Sequence, residues 1–188
     1  MPYLLDKSEV APLSRPISKH LEDNVLETYI REVEEMVIRP TIGASFYRYL
    51  LESKDDEIPS VEILLNGGWY PSTFDETFDG TFREGGQGLD EMCSGLKKCI
   101  AYYVLAKIVK GNDAHITRYG LSQKENEYGN RPSAADKESQ YRDLANMGDK
   151  YLQDTLQYLN EYRSLYPEYV KCCGRLHNTR QQYRIIGD

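Results

Sequence analysis

One segment limits the fold more than any other. From Leu89 to Lys110 the residues Leu89, Met92, Leu96, Cys99, Tyr103 and Ala106 recur at alternating three- and four-residue spacing, and Ile100, Val104 and Ile108 form an adjacent row. Two adjoining rows make an arc too wide for a helix with one wet face, so the pattern predicts a helix in the centre of a bundle. Gly111 stands where such a helix is capped at its C-terminus.

The flanking segments supply partners for it. Ser18 is a cap for a helix over about 19–38, whose stripe is Val25, Leu26, Tyr29, Ile30, Val33, Met36 and Val37. Pro40 should end it, because proline lacks the amide donor and disfavours helix in the residue before it. A Pro-Thr-Ile-Gly turn leads to a second helix over about 44–53, facing inward with Phe46, Tyr47, Leu50 and Leu51, and the two make an αα-hairpin. Val61–Leu65 adds one helical turn. Ser133 and Asp136 form a variant capping box at the head of the longest helix, about 134–165. Its stripe is Tyr141, Leu144, Ala145, Gly148, Leu152, Thr155, Leu156 and Leu159, and Pro167 stops it.

The expected fold is therefore all-α, a small bundle of about four to five helices with a long C-terminal helix. One domain spans 18–166. Residues 1–17, with Pro2, Pro12 and Pro16, read as an extended N-terminal arm, and 167–188 as a C-terminal tail. Residues 66–88 form a loop rich in Gly, Phe, Thr and Asp, where a short β-hairpin is allowed around Asp79-Gly80 between Phe78 and Phe82. Residues 112–132 read as polar loop.

Charge and cysteine usage narrow the function. The 188 residues carry a net charge of −7, whereas a protein that grips DNA by its phosphates shows a basic face. An acidic surface instead lets DNA pass without sticking. No run approaches the roughly 18 apolar residues of a membrane span. The N-terminal MPYLLDKSEVAPLSRP has acidic residues and prolines where a secretory signal has a basic region and an apolar block, so a cytoplasmic origin and no membrane are expected. Cys93, Cys99, Cys172 and Cys173 are expected as reduced thiols.

The common catalytic constellations do not assemble. The residues three before each histidine are Ile17, Asn112 and Gly174, so the Glu-x-x-His of a dimetal bundle is missing, as is a His-Glu-x-x-His zinc motif. Cys172, Cys173 and His177 lack the Cys-x-x-Cys partner of a zinc site. Gly80-Thr-Phe-Arg-Glu-Gly85 has phosphate-loop spacing, but Gly86 and Gln87 stand where Lys and Ser/Thr are required. Glu34-Glu35 and Asp55-Asp56-Glu57 read as solvated charges on a helix face and in a loop. The expectation is a protein without catalysis, cofactor or metal. A hydrolase with an unrecognised loop site stays open as an alternative.

Tyrosine occurs 16 times against 4 Phe and 1 Trp. Tyr suits surfaces that are wet alone and buried in an assembly, and equally suits core rings with hydroxyls at the periphery. Both readings fit the sequence.

Three stretches together resemble head–tail connector proteins of tailed phages, of the kind found in Bacteroides-type prophages. These are YIREVEEMVIRPTIGASFYRYL; LLNGGWY followed by GLKKCIAYYVLAKIV with its pair Tyr102 and Tyr103; and HITRYGLSQKENEYGNRPS before the last helix. The resemblance covers about 29–160 and leaves out 71–88 and the tail. It implies a structural subunit that assembles with copies of itself into a ring below the portal protein, extends the DNA channel without specific DNA binding, and docks the downstream tail-completion protein. The expected location is the bacterial cytoplasm during assembly, then the head–tail junction of the virion. Another tail-completion protein or a helical adaptor is the neighbouring alternative. The expected assembly contacts are Trp69, Phe74, Phe78 and Phe82 of the loop, Tyr158 and Tyr162 of the last helix, and Arg180 and Arg184 of the tail; the alternative for the four loop aromatics is that they cover the bundle's own core.

Overall fold

Asp6 and Glu9 open the first helix of the computed structural model, which describes residues 3–17, 23–56, 58–71, 90–111, 114–117, 120–123 and 133–169. The Asp6 N–H donates to Glu9 Oε2 at 3.1 Å, and the Glu9 N–H donates to the Asp6 carbonyl at 2.9 Å, in the spacing of a capping box. The helix is α1 (Lys7–Leu13). The stretch expected as an extended arm thus holds a helix, and Leu4, Leu5 and Val10 are buried in the main core. The prolines suggested extended chain; the Asp6–Glu9 cap and three inward apolar side chains outweigh them.

The helix α2 (Asp23–Val33) carries on into a π turn at Glu34–Ile38 and a final turn, α3 (Arg39–Ile42). Pro40 does not end it, contrary to expectation. The wide turn inserts one residue before the proline, so Pro40 stands at the start of the resumed helix, where its missing N–H costs little. Gly43 ends the helix instead, at φ 92°. Then come α4 (Ala44–Ser53) and α5 (Pro59–Asn66).

Two short antiparallel ribbons flank the central helix. The first pairs β1 (Gly68–Pro71) with β2 (Asp90–Cys93). The central helix itself is α6 (Leu96–Gly111). It is shorter than the stripe predicts, because Gly95 breaks the chain at φ 82° and the residues before it pair as a strand. The second ribbon, β3 (Ala114–Thr117) with β4 (Gly120–Gln123), lies in the stretch read as polar loop. Last come α7 (Ala134–Glu161) and a 3-10 turn at Arg163–Leu165. Ser133 and Asp136 form the expected capping box at its head, with the Asp136 N–H donating to Ser133 Oγ at 3.1 Å.

The chain is a mostly helical bundle with a long C-terminal helix, as the periodicity implies. Helix α6 packs on α1, α2, α5 and α7, and Cys99, Ile100, Ala101 and Val104 are fully buried. Gly148 sits under the Tyr103 ring, so a Cβ there would lie 3.0 Å from two ring atoms. At the other end of α6, Gly67 and Gly95 cross backbone to backbone. A Cβ on Gly95 would meet Gly67 N at 2.5 Å, and both glycines have positive φ. This crossing ties the first ribbon to the bundle.

Candidate assembly surface

The ribbon β1–β2 has two unlike faces, a consequence of strand alternation. On one face Tyr70 stands opposite Glu91 and Gly68 opposite Cys93, and this face is turned into the bundle. Tyr70 and Cys93 are buried. The Tyr70 hydroxyl donates to Glu91 Oε2 at 3.1 Å, and Gln157 on α7 donates to the same oxygen at 2.9 Å. The Tyr70 ring meets those of Tyr158 and Tyr162 at 4.8 and 5.7 Å. Burial, with the Glu161 and Glu91 carboxylates nearby, holds the Tyr70 hydroxyl protonated. The inner face is fixed by rings and hydrogen bonds alike.

On the other face Trp69 stands opposite Met92. They are 68% and 53% exposed. A large aromatic and a flexible thioether, side by side in water on a held ribbon, make an apolar pair of the kind that anchors protein interfaces. Met36 on the π turn and Leu165 after α7 are the other large apolar residues open to solvent among the described residues.

The expected contact residues divide accordingly. Trp69 is exposed, as an assembly contact must be. Tyr158 is a correction: at 2% exposure it belongs to the subunit's own core. Its hydroxyl is 3.4 Å from the Ser60 carbonyl and 3.3 Å from the Tyr166 hydroxyl, and burial pushes its pKa up. The Tyr166 hydroxyl donates to the Ser60 carbonyl at 2.6 Å, and the Tyr166 ring meets Phe46 edge-on at 5.6 Å. These tyrosines therefore follow the core reading, with rings inside and hydroxyls bonded to main chain. Tyr162 is half-buried, its ring 5.2 Å from that of Tyr158, so it supports the ribbon from behind. Phe74, Phe78, Phe82, Arg180 and Arg184, and the hairpin allowed at Asp79-Gly80, lie outside the described residues.

Met92 was hidden by its spacing. It falls on the helical stripe that runs through Leu96 and Cys99 and so reads as a core residue; the signal against this is Ser94-Gly95, which separates it from the helix. Glu34 was hidden by its neighbour. Beside Glu35 it reads as a solvated carboxylate, yet it is fully buried and accepts three hydrogen bonds, from the N–H groups of Leu4 at 3.1 Å and Leu5 at 3.0 Å and from the Tyr47 hydroxyl at 2.5 Å. Cys93 and Cys99 are free, buried thiols, and desolvation raises the pKa of both.

A cavity of about 150 Å³ is lined by Arg15, Leu105, Val109, Gln140, Asp143 and Leu144, well below the roughly 300 Å³ at which small-molecule sites begin. Among the described residues no group of three or more His, Cys, Asp or Glu is placed to hold a metal, and no helix is long and apolar enough to cross a membrane.

The sequence model of DUF6712, described as a family of unknown function, matches residues 38–179. No curated protein and no solved structure matches the chain.

Proposed function

The chain belongs to the DUF6712 family, and we propose that it is a structural, non-catalytic subunit of a phage head–tail connector, assembling with copies of itself into a ring below the portal. The observation that carries this reading is the Trp69–Met92 pair, held outward by a ribbon whose other face is locked to α7. The likeness of three ordered stretches to connector proteins supplies the setting.

A closed ring needs a heterologous contact, in which one patch of each subunit meets a different patch of the next. A Trp side chain buries roughly 150–250 Å², a substantial part of the roughly 800 Å² per partner in a stable interface. Trp69 with Met92 then acts as the central anchor, and the surface around it excludes water. The net charge of −7 suits a lumen that duplex DNA traverses without adhering. Dry, apolar contacts between subunits and acidic surface towards DNA form a consistent division of labour.

The test is co-purification of the chain with a portal protein of the same phage or prophage, followed by imaging of the complex. The expected result is a ring of this chain on the portal, lost in the Trp69→Ala variant while the variant's circular dichroism is unchanged. A chain that stays single beside its portal, or a ring that survives Trp69→Ala intact, contradicts the reading.

A further inference from the structure

The fold sorts the sulfur groups of its described residues by their access to water. Cys93 and Cys99 are fully buried. Met147 on α7 is half-buried. Met36 on the π turn is 75% exposed and Met92 on β2 is 53% exposed. A thioether open to water is within reach of a peroxide, whereas a buried thiol is shielded and stays protonated.

Met92 cannot withdraw from that exposure. Strand alternation gives Glu91 and Cys93 the inner face and Met92 the outer one, and a slip of one residue would bring Met92 in only by turning Cys93 out. Two attachments oppose the slip. Gln157 and Tyr70 both donate to Glu91, and just beyond the strand the Gly95 backbone already touches that of Gly67. The residue opposite Met92 is Trp69. Directly opposed residues of an antiparallel pair have Cβ atoms about 4.5–5.5 Å apart, so a change at the sulfur is felt beside the indole. Met36 is more open still, but it belongs to the π turn and not to the ribbon.

We propose that Met92 is an oxidation site that controls the ribbon face: a peroxide converts its thioether to the sulfoxide in the free subunit, and the sulfoxide keeps that subunit from joining other copies. This control rests on the self-assembly reading above, and it names a regulation of the same surface. Hydrogen peroxide gives one oxygen atom to the sulfur. Its O–O bond breaks, an S–O bond forms, the sulfur loses two electrons, and the other oxygen leaves as water. A flexible apolar side chain becomes polar at the centre of a contact that must be dry. An oxygen buried there without a donor weakens association by roughly ten- to hundredfold. Once assembled, the sulfur lies inside the contact, so the oxidant selects subunits that are still free. A sulfoxide reductase reverses the step at the expense of a dithiol: the oxygen leaves as water and the dithiol becomes a disulfide.

The unaltered chain serves for the test. It is given a limiting dose of hydrogen peroxide, quenched with free methionine, and mixed with the portal protein. Assembled and unassembled chains are separated by sedimentation, and the peptides carrying residues 36, 92 and 147 are weighed from each. Met36 and Met92 should gain oxygen before Met147. The Met92 sulfoxide should be enriched at least about tenfold in the unassembled fraction, while the Met36 sulfoxide divides evenly. Treatment with reductase and dithiol should return the unassembled chain to the ring. A Met92 sulfoxide that divides evenly, or a Met92 oxidised no faster than Met147, overturns the oxidation site and leaves the ring reading standing. An untreated chain that forms no oligomer, alone or on its portal, overturns both.

Discussion

Replacing Glu34 by alanine removes the acceptor of three donors at once: the amides of Leu4 and Leu5 and the hydroxyl of Tyr47. A buried donor left without a partner costs about 1–3 kcal/mol. Two effects reduce the sum. A buried charge is itself expensive, so removing it returns part of the loss, and the N-terminal strap, residues 3–13, can lift into water rather than sit unsatisfied. The net expectation is a loss of about 2–4 kcal/mol, concentrated in the strap. Urea unfolding reads the total, and hydrogen exchange reads the location: the amides of residues 4–10 should exchange much faster, while those of α6 change least. Glu34→Gln keeps one acceptor oxygen and should fall between the two. Burial, the largest influence on it, raises the Glu34 carboxyl above its ordinary range despite the three donors. A folded-state value above the unfolded one means that protonation favours the folded chain. That contribution is complete below the unfolded value and is lost as pH rises through the folded one. The parent's stability relative to Glu34→Gln should therefore decline with rising pH across that window. A Glu34→Ala variant within about 0.5 kcal/mol of the parent, with an unchanged exchange pattern, would refute the account of the strap.

Other parts of the fold make their own predictions. Gly148→Ala places a methyl 3.0 Å from the Tyr103 ring, and a loss of about 1–3 kcal/mol is expected from overpacking, measured by thermal melting. Gly95→Ala meets backbone rather than a movable side chain, at positive φ; it should cost at least about 2 kcal/mol, and a melt equal to the parent's would remove the crossing as a structural constraint. Trp69→Ala should leave monomer stability within about 1 kcal/mol, since the side chain is mostly in water, and lower the oligomer fraction in sedimentation. Cys93 and Cys99 should resist thiol reagents in the folded chain and react on denaturation, because both are buried and desolvation raises their pKa and keeps them as thiols; rapid labelling of either in the native chain would show that the core opens there.

Wherever one periodicity ran long enough, the fold was readable from residues alone. The double row around Ile100, Val104 and Ile108 identifies a central helix, and the stripe from Leu144 to Leu159 identifies its main partner. Sequence pattern and structure part where two local rules compete. Pro40 is a helix terminator in a regular α-helix but not after a π turn, and nothing in EEMVIRP announces the inserted residue. Met92 continues a helical spacing by coincidence, while Gly95 breaks the helix. Leu4 and Leu5 are too few to show a period, so their burial depends on a carboxylate thirty residues away. Among the candidate contacts, the exposure of Trp69 is legible because a single Trp in a Gly-rich stretch has little local core to join. The burial of Tyr158 is not, since a tyrosine looks alike in sequence whether its hydroxyl meets water or, as here, the carbonyl of Ser60. Long-range pairing decides such cases, and one sequence does not display it.

The claim that the outward ribbon face is made for another copy can be tested through its own chromophore. Trp69 is the one tryptophan of the chain, so its fluorescence reports that face without background. In the monomer the expected emission is the red-shifted, readily quenched emission of a water-exposed indole. On assembly the emission should move to shorter wavelength and become protected from iodide, in step with the sedimenting mass. An oligomer whose tryptophan emits and quenches as the monomer's does would contradict it.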